Sequence, residues 1–276
     1  TLKPDELFVA LDGPNFSGRD FLPAAEQKHA AAAVIAGAAQ SPLPNISVAD
    51  TRMALGQLGA AWRKQMPARV VGLTGSNGKT TLKEMVSSCL RLQAPTLATE
   101  GNLNNEIGVP LTLSRLGPEH DYAVIEMGAN HAGEIGYLTG LVAPHVVALT
   151  NAGAAHLEGF GSIEGVAHAK GEILTGSPAP ETAVLNADDP YFPLWRSMAK
   201  NSRILSFAVN SPADVRATHL KQTENGLAFT LTLPNGSVEI SLPLSGSHNA
   251  LNAAAAAAIA YALDIPLEAI RQGLDT

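Results

Sequence analysis

Between Val70 and Met85 the chain reads VVGLTGSNGKTTLKEM: an apolar run stops at a Gly-Ser-Asn-Gly turn, and Lys79-Thr80-Thr81 opens a helical stretch. Gly75 and Gly78 permit a tight turn with no side chain in the way. The amide hydrogens of Gly75, Asn77, Gly78, Lys79 and Thr80 are then free to point inward, and a helix N-terminus adds about half a positive charge. A turn of this kind cradles phosphate, with Lys79 reaching the outer phosphates and the Thr80 hydroxyl holding magnesium. The nucleotide-binding set is therefore Thr74, Gly75, Ser76, Asn77, Gly78, Lys79, Thr80 and Thr81. The spacing departs from the usual GxxxxGK[ST], because Leu73 stands where the first glycine belongs and Gly72 lies one residue early. A Gly-rich turn without a ligand is the alternative, and GKTT directly after an apolar run argues against it.

The pattern continues downstream. VVGL precedes a helical stretch over 79–92, PTLAT one over 107–116, YAVIEM one over 133–142, HVVALT one over 162–174, and TAVLNA one over 189–199, before RILSFAV. Fully apolar strands separated by helices predict a parallel sheet covered on both faces. GLAFTLTL then alternates with period two, turns at Pro234-Asn235-Gly236 and returns as SVEISLPL, which predicts a hairpin. Helices over 247–263 and 266–274 close the chain. Upstream, LFVAL (7–11) reads as a strand, FLPAAEQKHAAAAVIAG as one helix and ISVA (46–49) as a second strand. Asp50 is placed to N-cap a helix running to about Met66, and Pro67 marks a boundary. The expected architecture is α/β: a small N-terminal α/β domain (1–66), then a mainly parallel-sheet P-loop domain with a β-hairpin addition (67–276).

Composition narrows the function classes. With 46% hydrophobic and 16% charged residues, the 276-residue chain suits an α/β enzyme and not a disordered segment. Acidic residues outnumber basic ones by 25 to 18, a net charge of −7 with no Lys/Arg cluster, which argues against nucleic acid and anionic lipid as partners. The single cysteine, Cys89, excludes an internal disulfide and reads as a buried structural thiol in a reducing compartment. No apolar stretch reaches the roughly 18–20 residues that span a bilayer, and nothing at the start reads as a signal peptide. The expectation is a cytoplasmic protein with no membrane insertion, and a monomer.

The ends of the next strands carry chemistry, as expected where ligands collect in open parallel sheets. Glu126 closes YAVIEM, where a charge is costly unless paired or metal-bound; it reads as a magnesium ligand or as a cap on the helix near Gly133. Asn151 and His156 follow the next strand, so Thr80, Glu126 and His156 sit at strand ends that can share one site. The polar loop EGNLNNEIGVP (100–110) either donates amides to a carboxylate or phosphate or is a turn network of Asn side chains. Lys170 lies on the helix after the His156 loop, where a cation beside two magnesium ions would be repelled. Asn249 and Asn252, three apart, share a helix face and suit an adenine edge; the alternative is that Ser247 or Asn249 simply caps that helix.

Taken together, TGSNGKTT, EGNLNNEIGVPLTL, EMGANHAGEI, TNAGAAHLEGFGS, AKGEI and GSHNALNAAAA resemble the Mur ligase family over nearly the whole chain. The resemblance implies an ATP-dependent amide ligase of peptidoglycan precursor synthesis, in which ATP phosphorylates a substrate carboxylate and an amine attacks the acyl phosphate. EGNxNNxIGxP and AHLEGFGS point, within the family, to the member that joins D-alanyl-D-alanine to UDP-N-acetylmuramoyl-tripeptide. The resemblance implies ATP and two magnesium ions as cofactors, the first ion on Thr80 and Glu126 and the second on His156. Lys79, Glu126, His156 and Lys170 are its catalytic set; Lys170 matches a lysine carried as a carbamate, which turns a repelled cation into an anionic metal ligand. Asn249 and Asn252 match adenine-side residues. LFVALDGPNFSGRDF resembles the first domain, which holds the UDP-sugar end, with Phe8, Arg19, Asn104 and Asn105 as substrate residues. Ser17 and Arg19 replace the Asp and His of the common DGHDF. The family also has a C-terminal domain that closes on ATP, expected to be absent here, which implies weak or no turnover. The alternatives are nucleotide binding without turnover, or another P-loop phosphotransferase or NTPase.

Overall fold

Two sheets organise the chain, one of three strands and one of nine. The computed structural model describes residues 2–38, 41, 43–154 and 157–275, with Leu157 described by its backbone alone. The small sheet is parallel, in the order β1 (Leu7–Val9), β2 (Ala32–Ala36), β3 (Asn45–Val48). The expectation of one helix over 21–37 is corrected here. Helix α1 (Leu22–Gln27) stops early, His29 adopts a φ of 59°, and the AAVIA run becomes the central strand. Alanine's helix propensity is a weak prior, and strand pairing on both edges with burial of Ala33, Val34 and Ile35 outweighs it.

Helix α2 (Thr51–Arg63) starts as expected: the Asp50 carboxylate accepts hydrogen bonds from the amides of Arg52 and Met53 at 2.7 and 3.1 Å. It lies against the larger body, where the Trp62 indole donates to the Leu116 carbonyl at 2.7 Å and Arg63 Nε donates to the Val142 carbonyl at 3.2 Å.

The large sheet contains β4 (Arg69–Thr74), β5 (Thr96–Ala98), β6 (Tyr122–Glu126), β7 (Val146–Leu149), β8 (Thr182–Asn186), β9 (Arg203–Ala208), β10 (Val215–Thr223), β11 (Gly226–Leu233) and β12 (Gly236–Leu242). Its spatial order is β12-β11-β10-β9-β8-β7-β4-β6-β5. The strands from β4 to β9, with β5 and β6, are parallel, and the chain leaves β4 first to one side and then to the other. This reversal beside β4 creates the crevice in which α/β sheets bind ligands. Register sets the strand ends level: Leu73 pairs with Glu126, and Thr74 with Leu149.

Helices cover both faces. On one side lie α3 (Lys79–Arg91), α9 (Ser247–Ala262) and α10 (Leu267–Leu274), packed on Val71, Leu73, Val124 and Ala148. On the other lie α4 (Gly108–Leu113), α5 (Glu134–Val142), α7 (Ile163–Gly171) and α8 (Phe192–Met198), packed on Val70, Ile125, Val147 and Leu149. The short α6 (Leu157–Phe160) precedes α7. Successive strand residues thus feed opposite cores, which is why these runs are apolar throughout. The six consecutive alanines 253–258 of α9 are all fully buried, and their small size lets the helix lie close to the sheet.

The expected hairpin is β11–β12, with Leu233 paired to Gly236 across a two-residue turn. It belongs to a longer antiparallel unit: β10, absent from the sequence reading, joins it to β9. A register shift between Thr218 and Lys221, with His219 at a φ of 55°, interrupts the period-two pattern that would have marked this strand. Among the described residues no helix is long and apolar enough to cross a membrane. Replacing the α2 cap, Asp50→Ala, should lower unfolding free energy by about 1 kcal/mol; a urea titration with an unchanged midpoint would contradict the capping role.

Candidate active site

The phosphate-type loop is held from three directions. The Asn77 amide donates to Asn151 Oδ1 at 2.9 Å, while Asn151 Nδ2 returns a hydrogen bond to the Asn77 carbonyl at 3.1 Å. Thr150 Oγ1 donates to that same carbonyl at 2.8 Å, and the Ser76 amide donates to the Asn151 carbonyl at 3.0 Å. Behind this clamp, Asn186 Nδ2 donates to the Thr150 carbonyl and Asp189 accepts from the Ala152 amide. Gly75 and Gly78 are required here on two counts. Their φ values are 151° and 80°, and a Cβ would meet Thr150 Oγ1 at 1.9 Å and Asn252 Oδ1 at 2.7 Å, respectively.

At the end of β6, Glu126 is only 2% exposed. Thr80 Oγ1 donates to its Oε2 at 3.0 Å, Asn104 Nδ2 donates to its Oε1 at 2.8 Å, and its own amide donates to Thr99 Oγ1 at 3.0 Å. The alternative role for Glu126, capping α5, falls instead to Glu172, which accepts from the Gly133 and Gly136 amides at 2.7 and 2.9 Å. In the polar loop Asn104 donates to the chain's own Glu126, and Asn105 Oδ1 accepts from the Gly108 amide at the start of α4, as in the turn-network alternative.

A cavity of about 390 Å³ brings together Gly75, Ser76, Lys79, Asn104, Asn105 and Lys170. Lys79 Nζ donates to the Gly75 and Ser76 carbonyls at 2.8 and 3.2 Å, which holds the ammonium over the loop. Burial lowers its pKa, and Glu126 opposes that shift. Lys170 is 2% exposed, donates to the Ala129 carbonyl at 3.3 Å and lies 5.5 Å from the Phe160 ring centre. Burial, reinforced by the positive charge of Lys79, pushes it down to about 8, against the pull of Glu134 and Glu172. An amine in that range is partly neutral near pH 7 to 8 and so can act as a nucleophile.

Asn249 and Asn252 share a face of α9, as expected, and Nδ2 of Asn252 donates to Oδ1 of Asn249 at 3.4 Å. Neither Asn249 nor Ser247 caps the helix: its N-cap is Gly246, with no side-chain cap. Asn252 touches the loop at Gly78, so α9 forms one wall beside it. Thr81 faces a different groove, along α3. Phe8 packs against the small core and Arg19 lies beside Gly37; both belong to the small-sheet unit and neither lines the cavity of Lys79 and Lys170. Arg52 connects the two regions, donating to the Asp12 carbonyl at 3.0 Å and pairing with Glu106 at 3.4 Å. The expected role of His156 lies outside the described residues.

The donor set suits magnesium at one position. Thr80 Oγ1 and Glu126 Oε2 are hard oxygens 3.0 Å apart, close to the separation of about 2.9 Å between adjacent ligands of an octahedral ion with 2.0–2.1 Å bonds. Among the described residues no group of three His, Cys, Asp or Glu gathers to hold a metal. The sequence reading assigned no role to Thr99, Thr150, Asn151, Asn186 or Asp189. Each is a polar residue at or just past the end of an apolar strand, and that position is the signal that could have found them.

A family described as the Mur ligase middle domain matches residues 73–260. The UDP-N-acetylmuramoyl-tripeptide–D-alanyl-D-alanine ligase of Escherichia coli (strain K12) is 48% identical over 274 residues, covering 99% of this chain and 61% of that protein. A crystal structure of MurF from Acinetobacter baumannii is similar with a TM-score of 0.93 at 42% identity, covering 99% of this chain and 60% of that one. The MurF ligase from Thermotoga maritima in complex with ADP gives a TM-score of 0.85 at 26% identity, covering 98% and 63%. The chain thus spans about 60% of the length of the curated relatives it matches.

The Lys170 environment generates a pH prediction. Carbon dioxide adds to neutral amines only, so at fixed dissolved ¹³CO₂ a carbamate signal should grow as pH rises through about 8. It should vanish in Lys170→Gln; a signal indifferent to that substitution would assign the adduct elsewhere.

Proposed function

The chain belongs to the Mur ligase family, and from that premise we propose that it supplies the nucleotide- and carboxylate-handling part of an ATP-dependent amide ligase. Its proposed reaction joins D-alanyl-D-alanine to UDP-N-acetylmuramoyl-tripeptide, the reaction named for the Escherichia coli and Haemophilus influenzae relatives. The observation that carries this reading is the convergence of Lys79 and Lys170 on one cavity with Asn104, whose amide holds the same carboxylate that Thr80 binds.

In the proposed sequence, a carboxylate oxygen of the tripeptide attacks the γ-phosphorus, and the bond to the bridging oxygen breaks to release ADP. The amine nitrogen of the dipeptide then attacks the acyl carbon. The carbon–oxygen bond to phosphate breaks, phosphate leaves and the nitrogen loses a proton. Two anions must meet in the first step, and the chain's residues lower that cost. The Ser76 and Asn77 amides are taken by Asn151, so the other loop amides and the Lys79 ammonium would face the phosphates, while Thr80 and Glu126 would hold a first magnesium ion. Magnesium, when bound, neutralises phosphate charge and so lets the carboxylate approach. His156 would serve a second ion. Lys170, whose amine is partly neutral, would gain an anionic oxygen donor by adding carbon dioxide. Asn249 and Asn252 would meet the adenine from α9, against which the loop packs at Gly78. Residues 1–66 would hold the UDP-sugar end through Phe8 and Arg19, with residues 67–276 as the ATP-binding unit, and Arg52 would link the two.

Hydroxylamine trapping tests this reading. The full-length protein given ATP, magnesium and UDP-N-acetylmuramoyl-tripeptide should form a hydroxamate from the acyl phosphate. A stable phosphoester, or ATP hydrolysis independent of the tripeptide, would point to a phosphotransferase or NTPase. Glu126→Gln should abolish the magnesium dependence of ATP binding. Asn104→Ala, which removes a partner of that carboxylate, should weaken such binding about 10- to 100-fold.

A further inference from the structure

We propose that His131, oriented by Glu134, accepts the proton that the incoming amine must lose before it attacks the acyl phosphate. The inference rests on the ligase reading above and deepens its second step. An α-amino group has a pKa of about 8, so near neutral pH most of the dipeptide carries an ammonium that cannot act as a nucleophile, and a base in the cavity is useful.

The geometry singles out one group. The cavity that holds Lys79 and Lys170 is also lined by Glu106, Asn130, His131 and Glu134. Of its described titratable side chains, Lys79 and Lys170 are committed to the phosphate and metal side, and Glu106 pairs with Arg52. Glu134 spends both oxygens: Oε2 accepts from the Asn130 amide at 2.7 Å, and Oε1 faces His131 Nδ1 at 3.1 Å. That contact assigns the Nδ1 proton and leaves Nε2 as the acceptor. The imidazole is 68% exposed, within reach of a solvent-borne amine, and lies 3.1 Å from the Glu134 carboxylate that orients it. The loop carrying it is held in place, because Gly159 packs against the Asn130 carbonyl and beside the His131 ring. The charged groups near the ring are Glu134 at the start of α5, Glu172, which follows α7 and accepts from the Gly133 and Gly136 amides, and Glu106, Lys170 and Lys79, which line the same cavity. One proton passes from the ammonium nitrogen to Nε2, the freed lone pair attacks the acyl carbon, and as the carbon–oxygen bond breaks phosphate carries off its electrons together with the second proton that the nitrogen loses in becoming an amide.

Two nucleophiles separate this role from a structural one. Hydroxylamine is largely the free base at neutral pH and needs no proton acceptor, whereas D-alanyl-D-alanine does. With the full-length protein, His131→Gln should lower the ratio of dipeptide ligation to hydroxamate formation about 100-fold near pH 7. The ratio should recover as pH rises past the amine pKa. Glu134→Gln should lower the same ratio by a smaller factor. An unchanged ratio in His131→Gln, with hydroxamate still formed, would overturn the inference while leaving the ligase reading intact. Absence of hydroxamate from the unsubstituted protein would instead overturn the ligase reading.

Discussion

A carboxylate buried at the end of β6, the strand beside the edge strand β5, is the constraint around which the candidate site is arranged. Glu126 is almost fully withdrawn from water, and a charge in that position is tolerated only if its oxygens are occupied. Thr80 from the start of α3 and Asn104 from the 100–110 loop each take one oxygen, while Thr99, just past β5, receives the backbone amide. Three segments distant in sequence are thereby fixed against one another. Leaving a buried acceptor without its hydrogen-bond donor commonly costs about 1–3 kcal/mol, and more for a charged group, so the arrangement resists drift. It also presents two oxygens at the separation that a small divalent cation demands. One side chain thus joins the folding of the sheet edge to the chemistry expected beyond it.

The loop that precedes α3 departs from the usual spacing, and its surroundings explain how it keeps its shape. Leu73 occupies the place of the first glycine and is fully buried in the core between sheet and helices. The curvature a glycine would have permitted there is imposed from outside. Asn151 grips the Asn77 peptide by both its N–H and its C=O, Thr150 takes the same carbonyl, and Asn186 and Asp189 fix the backbone behind them. These residues lie at or just past the ends of β7 and β8, so the sheet register that sets strand ends level also sets the loop.

Much of this was legible in the sequence because it depends on local pattern. Apolar runs between helical stretches gave the parallel strands, Asp50 marked the start of α2, and the glycine-rich turn and Glu126 stood at strand ends. The misread parts depend on tertiary context. The run at 32–36 carries no period that separates strand from helix, and only its place between two partners decides it. β10 hides because a bulge at His219 breaks its alternation. Asn151 and Asp189 are ordinary polar residues in the sequence; their importance comes from which backbone groups the fold brings to them. The face shared by Asn249 and Asn252 was readable from helical spacing, but the contact of Asn252 with Gly78 required the packing of α9 beside α3.

The central claim is that Thr80 and Glu126 form one half of a divalent-cation site facing a phosphate loop. Crystals of the full-length protein grown with Mn²⁺ and a non-hydrolysable ATP analogue would test it through the anomalous signal of manganese. The account predicts a peak bonded to Thr80 Oγ1 and a Glu126 carboxylate oxygen at distances of about 2.1–2.2 Å, with phosphate oxygens completing its shell and Lys79 turned toward them. A peak away from both side chains, with Glu126 still bonded to Thr80 and Asn104 alone, would contradict it.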